Sequence, residues 1–150
     1  MAADSGGPRL EYWHLYTDEQ GVSRQRRCAF TEFERRSISE PASPQWIGRR
    51  TDGAMSTLVT VLPPGWIGAW HENPRPQWII PLSGRWFVES MDGQRIEMGP
   101  GELSFGADQG TRELSGRKGH LSGTVGEQPA VLWLIQLDAA PAPRLPCSFE

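Results

Sequence analysis

Residues 65–84 read GWIGAWHENPRPQWIIPLSG. Gly65 and Gly84 close the two ends. Between them, five residues precede His71, one separates it from Asn73, three separate Asn73 from Gln77, and six lead to Gly84. In an extended chain alternate residues share a face, so His71 and Asn73 point the same way. Pro74-Arg75-Pro76 makes a rigid corner. Beyond it Gln77 and Ile79 share one face of a strand, and Trp78, Ile80 and Leu82 the other. Both faces are largely apolar, which predicts cover on two sides and points to a homodimer.

The flanking sequence continues in the same style. Short β-rich or alternating runs fall at 11–16, 26–35, 46–49, 56–62, 67–71, 77–82, 85–90, 95–98, 102–105, 119–125 and 130–137, with almost no sustained helical period. Ser83-Gly84 reads as a tight turn, Asp92-Gly93 as a type I′ hairpin, and Gly99-Pro100-Gly101 as a further reversal. Many short strands with regular turn signals predict an all-β sandwich or barrel. The polar stretch 37–44 reads as a loop, and 109–118 as a lid or an exposed insertion. Residues 1–9 read as a mobile N-terminus, 10–138 as one domain, and 139–150 as a proline-rich tail along the surface.

With 150 residues the chain suffices for one domain with a core of its own. A net charge of −3 with no basic block excludes a nucleic-acid partner from the leading readings. No basic start followed by an apolar run opens the chain, and no stretch reaches the length of a membrane span. A cytoplasmic protein without a membrane partner is the expectation. Cys28 and Cys147 form no C-x-x-C unit and suggest no zinc site. Reduced thiols are the default, with pairing between the two left open. Seven tryptophans admit two readings, a barrel core or an aromatic pocket wall, and burial in the core is the simpler.

The Gly65–Gly84 spacing resembles the first signature motif of the cupin superfamily, G-x5-H-x-H-x3-E-x6-G, and its frame is intact here. Pro100-Gly101-Glu102 resembles the start of the second motif, with His120 as its displaced histidine after an insertion at 108–116. One group of small single-domain cupins is similar over roughly residues 10–138. The matching residues are Tyr16 to Gly21, Trp70-His71, Pro74-Arg75, Gln77, Leu82-Ser83-Gly84 and Lys118-Gly119-His120, in that order. The resemblance implies a cupin double-stranded β-helix, the RmlC-like jelly-roll barrel. It also implies a divalent metal (Fe, Mn, Ni or Zn) held by His71, Asn73, Gln77 and His120.

Two of those four positions depart from the family pattern. Asn73 and Gln77 offer neutral amide oxygens where the family has an imidazole and a carboxylate. Loss of the anionic ligand weakens a transition-metal site, so a metal and no metal both stay open. Without one, His71 and His120 serve as general base and general acid. Asn73, Arg75, Gln77, Trp70, Trp78 and Ile79 are then the candidate substrate contacts. The leading expectation is an enzyme acting on a small organic molecule inside the barrel, by proton transfer as an isomerase, cyclase or lyase, or by metal-dependent chemistry if a divalent ion is bound. The competing readings are a metabolite-binding module and a dimeric scaffold.

Overall fold

A computed structural model describes residues 6–48, 51–138 and 145–147. Among them there is no helix. The strands are β1 (Leu10–Thr17), β2 (Ser23–Phe30), β3 (Phe33–Arg36), β4 (Gln45–Gly48), β5 (Met55–Leu62), β6 (Gln77–Ser83), β7 (Arg85–Ser90), β8 (Arg95–Met98), β9 (Leu103–Ala107), β10 (His120–Val125) and β11 (Ala130–Leu137). A six-stranded sheet runs β2-β1-β9-β6-β11-β5 and a three-stranded sheet runs β10-β7-β8. β1 lies parallel to β9, and the other neighbours pair antiparallel. The chain is thus an all-β jelly-roll barrel. No helix among the described residues is long and apolar enough to cross a membrane.

Strand alternation sorts the side chains as their period of two requires. Leu15, Leu62, Ile79, Trp86, Val88, Met98, Ala130 and Leu132 meet between the two sheets and form the interior core. The outer face of the large sheet carries a second cluster, with Tyr12, Cys28, Phe30, Phe105, Ala107 and Leu137 buried and Trp78 packed against them. Its rings are close, with Tyr12 4.6 Å from Phe30 and Trp78 4.6 Å from Phe105. Of the tryptophans, Trp86 is the fully buried one, while Trp46, Trp66 and Trp133 are exposed, so core burial accounts for few of them.

Several local expectations are corrected. The stretch 26–35 is two strands: β2 ends at Phe30, a tight turn places Phe33 N–H on the Thr31 carbonyl at 3.0 Å, and β3 turns away to pair with β4. The expected strand 46–49 is β4, and Arg49 lies outside the described residues. The stretch 67–71 touches β10 at two bridges, Ile67 to Gly123 and His71 to His120, instead of forming a strand. At Asp92-Gly93 only the glycine has a positive φ (89°), so the turn is not type I′. A Gly93 N–H to Ser90 C=O bond of 2.9 Å closes a longer loop.

The expectation of reduced thiols is also corrected: Cys28 and Cys147 form a disulfide. Outer-face packing brings them together, for Cys147 sits against the cluster that contains Cys28. The Cys147 N–H donates to His14 Nδ1 at 3.1 Å. His14 is fully buried on the same face, and burial lowers its pKa to about 4. The rest of the expected tail, 139–144 and 148–150, lies outside the described residues, as do residues 1–5 of the N-terminal segment.

Candidate functional site

The polar part of the barrel interior is assembled from three chain segments. β6 begins at Gln77 just past the Pro74-Arg75-Pro76 corner, which leaves Asn73 buried beneath it. β9 runs out at Ala107, and the next residue, Asp108, shares the inward face of Ser104 and Gly106. β10 opens with His120. Gln77 lies opposite Gly106 on one side and Gln136 of β11 on the other.

Hydrogen bonds join these residues into one chain. His120 Nδ1 donates to Asp108 Oδ2 at 2.7 Å. Asp108 Oδ1 accepts from the Asn73 backbone N–H and from Asn73 Nδ2, each at 2.8 Å. Asn73 Oδ1 accepts from Gln77 Nε2 at 2.6 Å, and Gln77 Oε1 from Gln136 Nε2 at 3.0 Å. Asp108, Asn73, Gln77 and His120 are all buried. Burial alone would raise the Asp108 pKa. The His120 hydrogen bond and charge, with the Asn73 donors, outweigh it and hold the carboxyl below its ordinary range.

Two glycines make the arrangement sterically feasible. A Cβ on Gly106 would stand 2.4 Å from Asn73 Nδ2, so only a bare backbone admits that amide. Gly119 has φ +66°, and a Cβ there would stand 2.2 Å from the His71 carbonyl oxygen. Its absence lets the His71 segment close on β10, with backbone bonds of 3.0 and 2.9 Å between His71 and His120. Their ring centroids are then 4.6 Å apart.

The insertion is anchored at its base rather than loose. Glu72 accepts from the Gly110 N–H, the Thr111 N–H and Thr111 Oγ1, the last at 3.0 Å. Thr111 Oγ1 in turn accepts from the Gly119 N–H at 2.9 Å. At the tip, Ser115 and Gly116 both have positive φ and close a two-residue turn between Leu114 and Arg117.

The candidate residues divide accordingly. Asn73, Gln77 and His120 come together, with Ile79 following Gln77 on the inward face. His71 adjoins them, but its ring is exposed and its Nδ1 is 2.7 Å from the Ala69 carbonyl. Arg75 is turned away and pairs with Asp138. Trp70 lies under the Arg117 guanidinium, 5.4 Å from its ring centre. Trp78 faces the outer cluster, on the other side of the sheet from Gln77. Asp108 and Gln136 are the members that sequence reasoning missed. Alternation supplied a signal for Asp108: Ser104, Gly106 and Asp108 are the small or polar residues of one face.

The donor set does not fit a divalent ion. The Asn73 and Gln77 carbonyl oxygens already accept protein N–H groups, and His120 Nδ1 is held by Asp108. The other ring nitrogen of His120, Nε2, takes no part in the Asp108 contact. No group of three or more His, Cys, Asp or Glu side chains among the described residues is placed to hold a metal. A transition-metal site needs several such donors converging on one point.

Signature spacing and two-sheet architecture now coincide, since the motif positions Asn73, Gln77 and His120 meet inside a jelly roll. The fold is a cupin barrel. This architecture encloses small ligands between its sheets. Solved structures similar to the cupin barrel described here include a Cupin 2 conserved barrel domain protein from Salinispora arenicola, at 16% identity and a TM-score of 0.45, covering 85% of this chain and 84% of that one. The cupin domain of Schizosaccharomyces pombe Cnp3 is similar at 12% identity and a TM-score of 0.39, covering 85% and 81%. A protein from Neisseria meningitidis is similar at 20% identity and a TM-score of 0.41, covering 68% and 90%. No protein-family model and no curated protein matches the chain.

Proposed function

We propose that this cupin binds a small polar organic molecule inside the barrel and that His120, oriented by Asp108, moves a proton on it. The observation that carries this reading is the buried Asp108–His120 contact of 2.7 Å. A carboxylate on Nδ1 fixes the tautomer with its lone pair on Nε2, and it stabilises the imidazolium formed when Nε2 takes a proton. The amide chain through Asn73, Gln77 and Gln136 holds the carboxylate. Those amides are therefore positioning groups, and no metal has a role.

The reaction class is one that proton transfer alone completes. Nε2 takes a proton from an acidic C–H or O–H of the ligand. After exchange with water on the imidazole, Nε2–H gives a proton to another ligand atom, as in isomerisation or cyclisation, or to a departing group, as in elimination. Buried polar atoms on the inward face support a polar ligand: Trp86 Nε1, Ser104 Oγ, Thr17 Oγ1 and Gln25 Oε1 have no hydrogen-bond partner among the described residues.

Incubation with a metabolite mixture in deuterated water, read by mass spectrometry, tests the proposal. Deuterium uptake into one compound, or its conversion, is expected with the wild type and not with His120→Ala. Tight binding of a compound without exchange would instead make the protein a capture module, and the absence of both binding and exchange would make it a scaffold.

A further inference from the structure

We infer that Glu72 and Thr111 are positioning residues for the Asp108–His120 pair, latching the 109–118 insertion so that its two ends meet. The inference rests on the reading of His120 as the group that moves a proton, and deepens it. Asp108 stands just before the insertion and His120 just past it, 12 residues apart, so their contact closes a loop. Loop closure costs entropy, and one side-chain contact must offset it alone unless something else holds the ends. Residues 112–118 are exposed, so burial of the loop does not supply that hold.

The hold comes from consecutive residues, His71, Glu72 and Asn73. His71 fixes the far end through backbone bonds of 3.0 and 2.9 Å to His120. Asn73 fixes the near end through its N–H and Nδ2, each 2.8 Å from Asp108 Oδ1, and its carbonyl accepts from Gln109 Nε2 at 2.9 Å. Glu72, between them, grips the insertion itself. Its carboxylate accepts from the Gly110 and Thr111 N–H groups, each at 3.2 Å, and from Thr111 Oγ1 at 3.0 Å. Hydrogen bonds to an ionised acceptor are the stronger kind. The Arg112 N–H adds a tie to the Gly21 carbonyl at 2.8 Å.

Thr111 carries the constraint across the loop. A carboxylate only accepts, so the Thr111 hydroxyl donates to Glu72 and turns a lone pair to the Gly119 N–H, 2.9 Å away and one residue before His120. Thr111 thereby ties the outgoing arm of the insertion to the returning one, and Glu72 ties both to the segment that holds the pair. Neither residue belongs to the buried chain from His120 to Gln136. Removing their bonds leaves every donor and acceptor of that chain in place and alters only how firmly Asp108 meets Nδ1.

Nitrogen-15 NMR of the His120 ring in the full chain provides the test. In the wild type the Nδ1 proton is expected to be protected from solvent and to open together with the Gly110, Thr111 and Gly119 amides, as one local unit. Thr111→Val and Glu72→Gln are each expected to speed its exchange about tenfold, the scale of one lost hydrogen bond. Thr111→Ser, which keeps the hydroxyl, is expected to restore the wild-type rate. Cys147→Ser, which loosens the outer face, is the control and is expected to leave that exchange unchanged. With the compound that takes up deuterium from the metabolite mixture, Thr111→Val is expected to lower kcat about tenfold at unchanged KM. No uptake with the wild type would end the proton-transfer reading and leave the ring measurement to decide this one. A Nδ1 proton that exchanges in both variants as in the wild type, or that Cys147→Ser releases as readily as they do, would overturn the inference. So would a wild-type Nδ1 proton that opens independently of the three amides, a measurement that needs no variant to fold.

Discussion

Asp108 Oδ2 lies 2.7 Å from His120 Nδ1, and both side chains are buried in the barrel. A carboxylate in such a place survives only if its charge is answered, here by one imidazole and two Asn73 donors. Asp108→Ala removes the anion and strands those donors. The expected cost is about 3 kcal/mol, the usual scale for breaking a buried pair. Urea denaturation at neutral pH measures it.

The same carboxylate makes stability depend on acid. Its folded pKa lies below the ordinary 3.8, so its contribution is complete above that value and is lost as the pH falls through the folded value. Asp108→Asn is expected to be less stable than wild type at neutral pH, with the gap narrowing below about pH 4. A gap constant over that range in denaturation curves would contradict this.

His14 adds a second, higher window. Burial lowers its pKa from 6.5 to about 4, so the unfolded chain takes up a proton there before the folded one does. Its contribution is present above 6.5 and is lost as the pH falls toward 4. The loss is about 3 kcal/mol at most. His14→Gln is expected to flatten the stability profile between those two values, measured by chemical denaturation at several pH values.

The glycine approaches are sensitive to a single methyl group. Gly119→Ala forces a positive φ on a residue with a Cβ and drives that Cβ toward the His71 carbonyl. A loss of about 1–3 kcal/mol is expected, together with faster exchange of the His71 and His120 amides. Gly53→Ala, where a Cβ would meet nothing, carries the φ penalty of +116° without the clash and serves as the comparison.

Cys147→Ser opens the disulfide, whose cysteines are 119 residues apart. A stability loss of about 2–4 kcal/mol is expected, and a reductant should lower the wild type to the same level. Thermal unfolding with and without reductant checks both statements.

The parts of this molecule that obey simple periodicity were legible in its sequence. Alternation placed Gln77 and Ile79 on one face of β6 with Trp78 on the other, and the signature spacing brought Asn73, Gln77 and His120 to one place. What spacing could not show is how hydrogen bonds are shared out. The two amides resembled ligand contacts, yet each carbonyl is already engaged by a neighbouring amide. Asp108 escaped notice because it begins the insertion, where the motif frame is broken, although its carboxylate is the centre of the network. Arg75 resembled a pocket residue until its pairing with Asp138, far along the chain, was visible. The disulfide was equally hidden, since nothing local to Cys28 or Cys147 specifies the outer-face packing that joins them.

The central proposal is that Asp108 orients His120 through Nδ1, leaving Nε2 to exchange a proton with the ligand without the help of a metal. Nitrogen-15 NMR of the histidine rings tests it directly, on the wild type and Asp108→Asn, with and without added Mn or Zn. The account expects His120 protonated at Nδ1, a changed tautomer balance in Asp108→Asn, and no broadening or shift of the His120 signals with either ion. A proton on Nε2 in the wild type, or His120 signals that respond stoichiometrically to the metal, would contradict it.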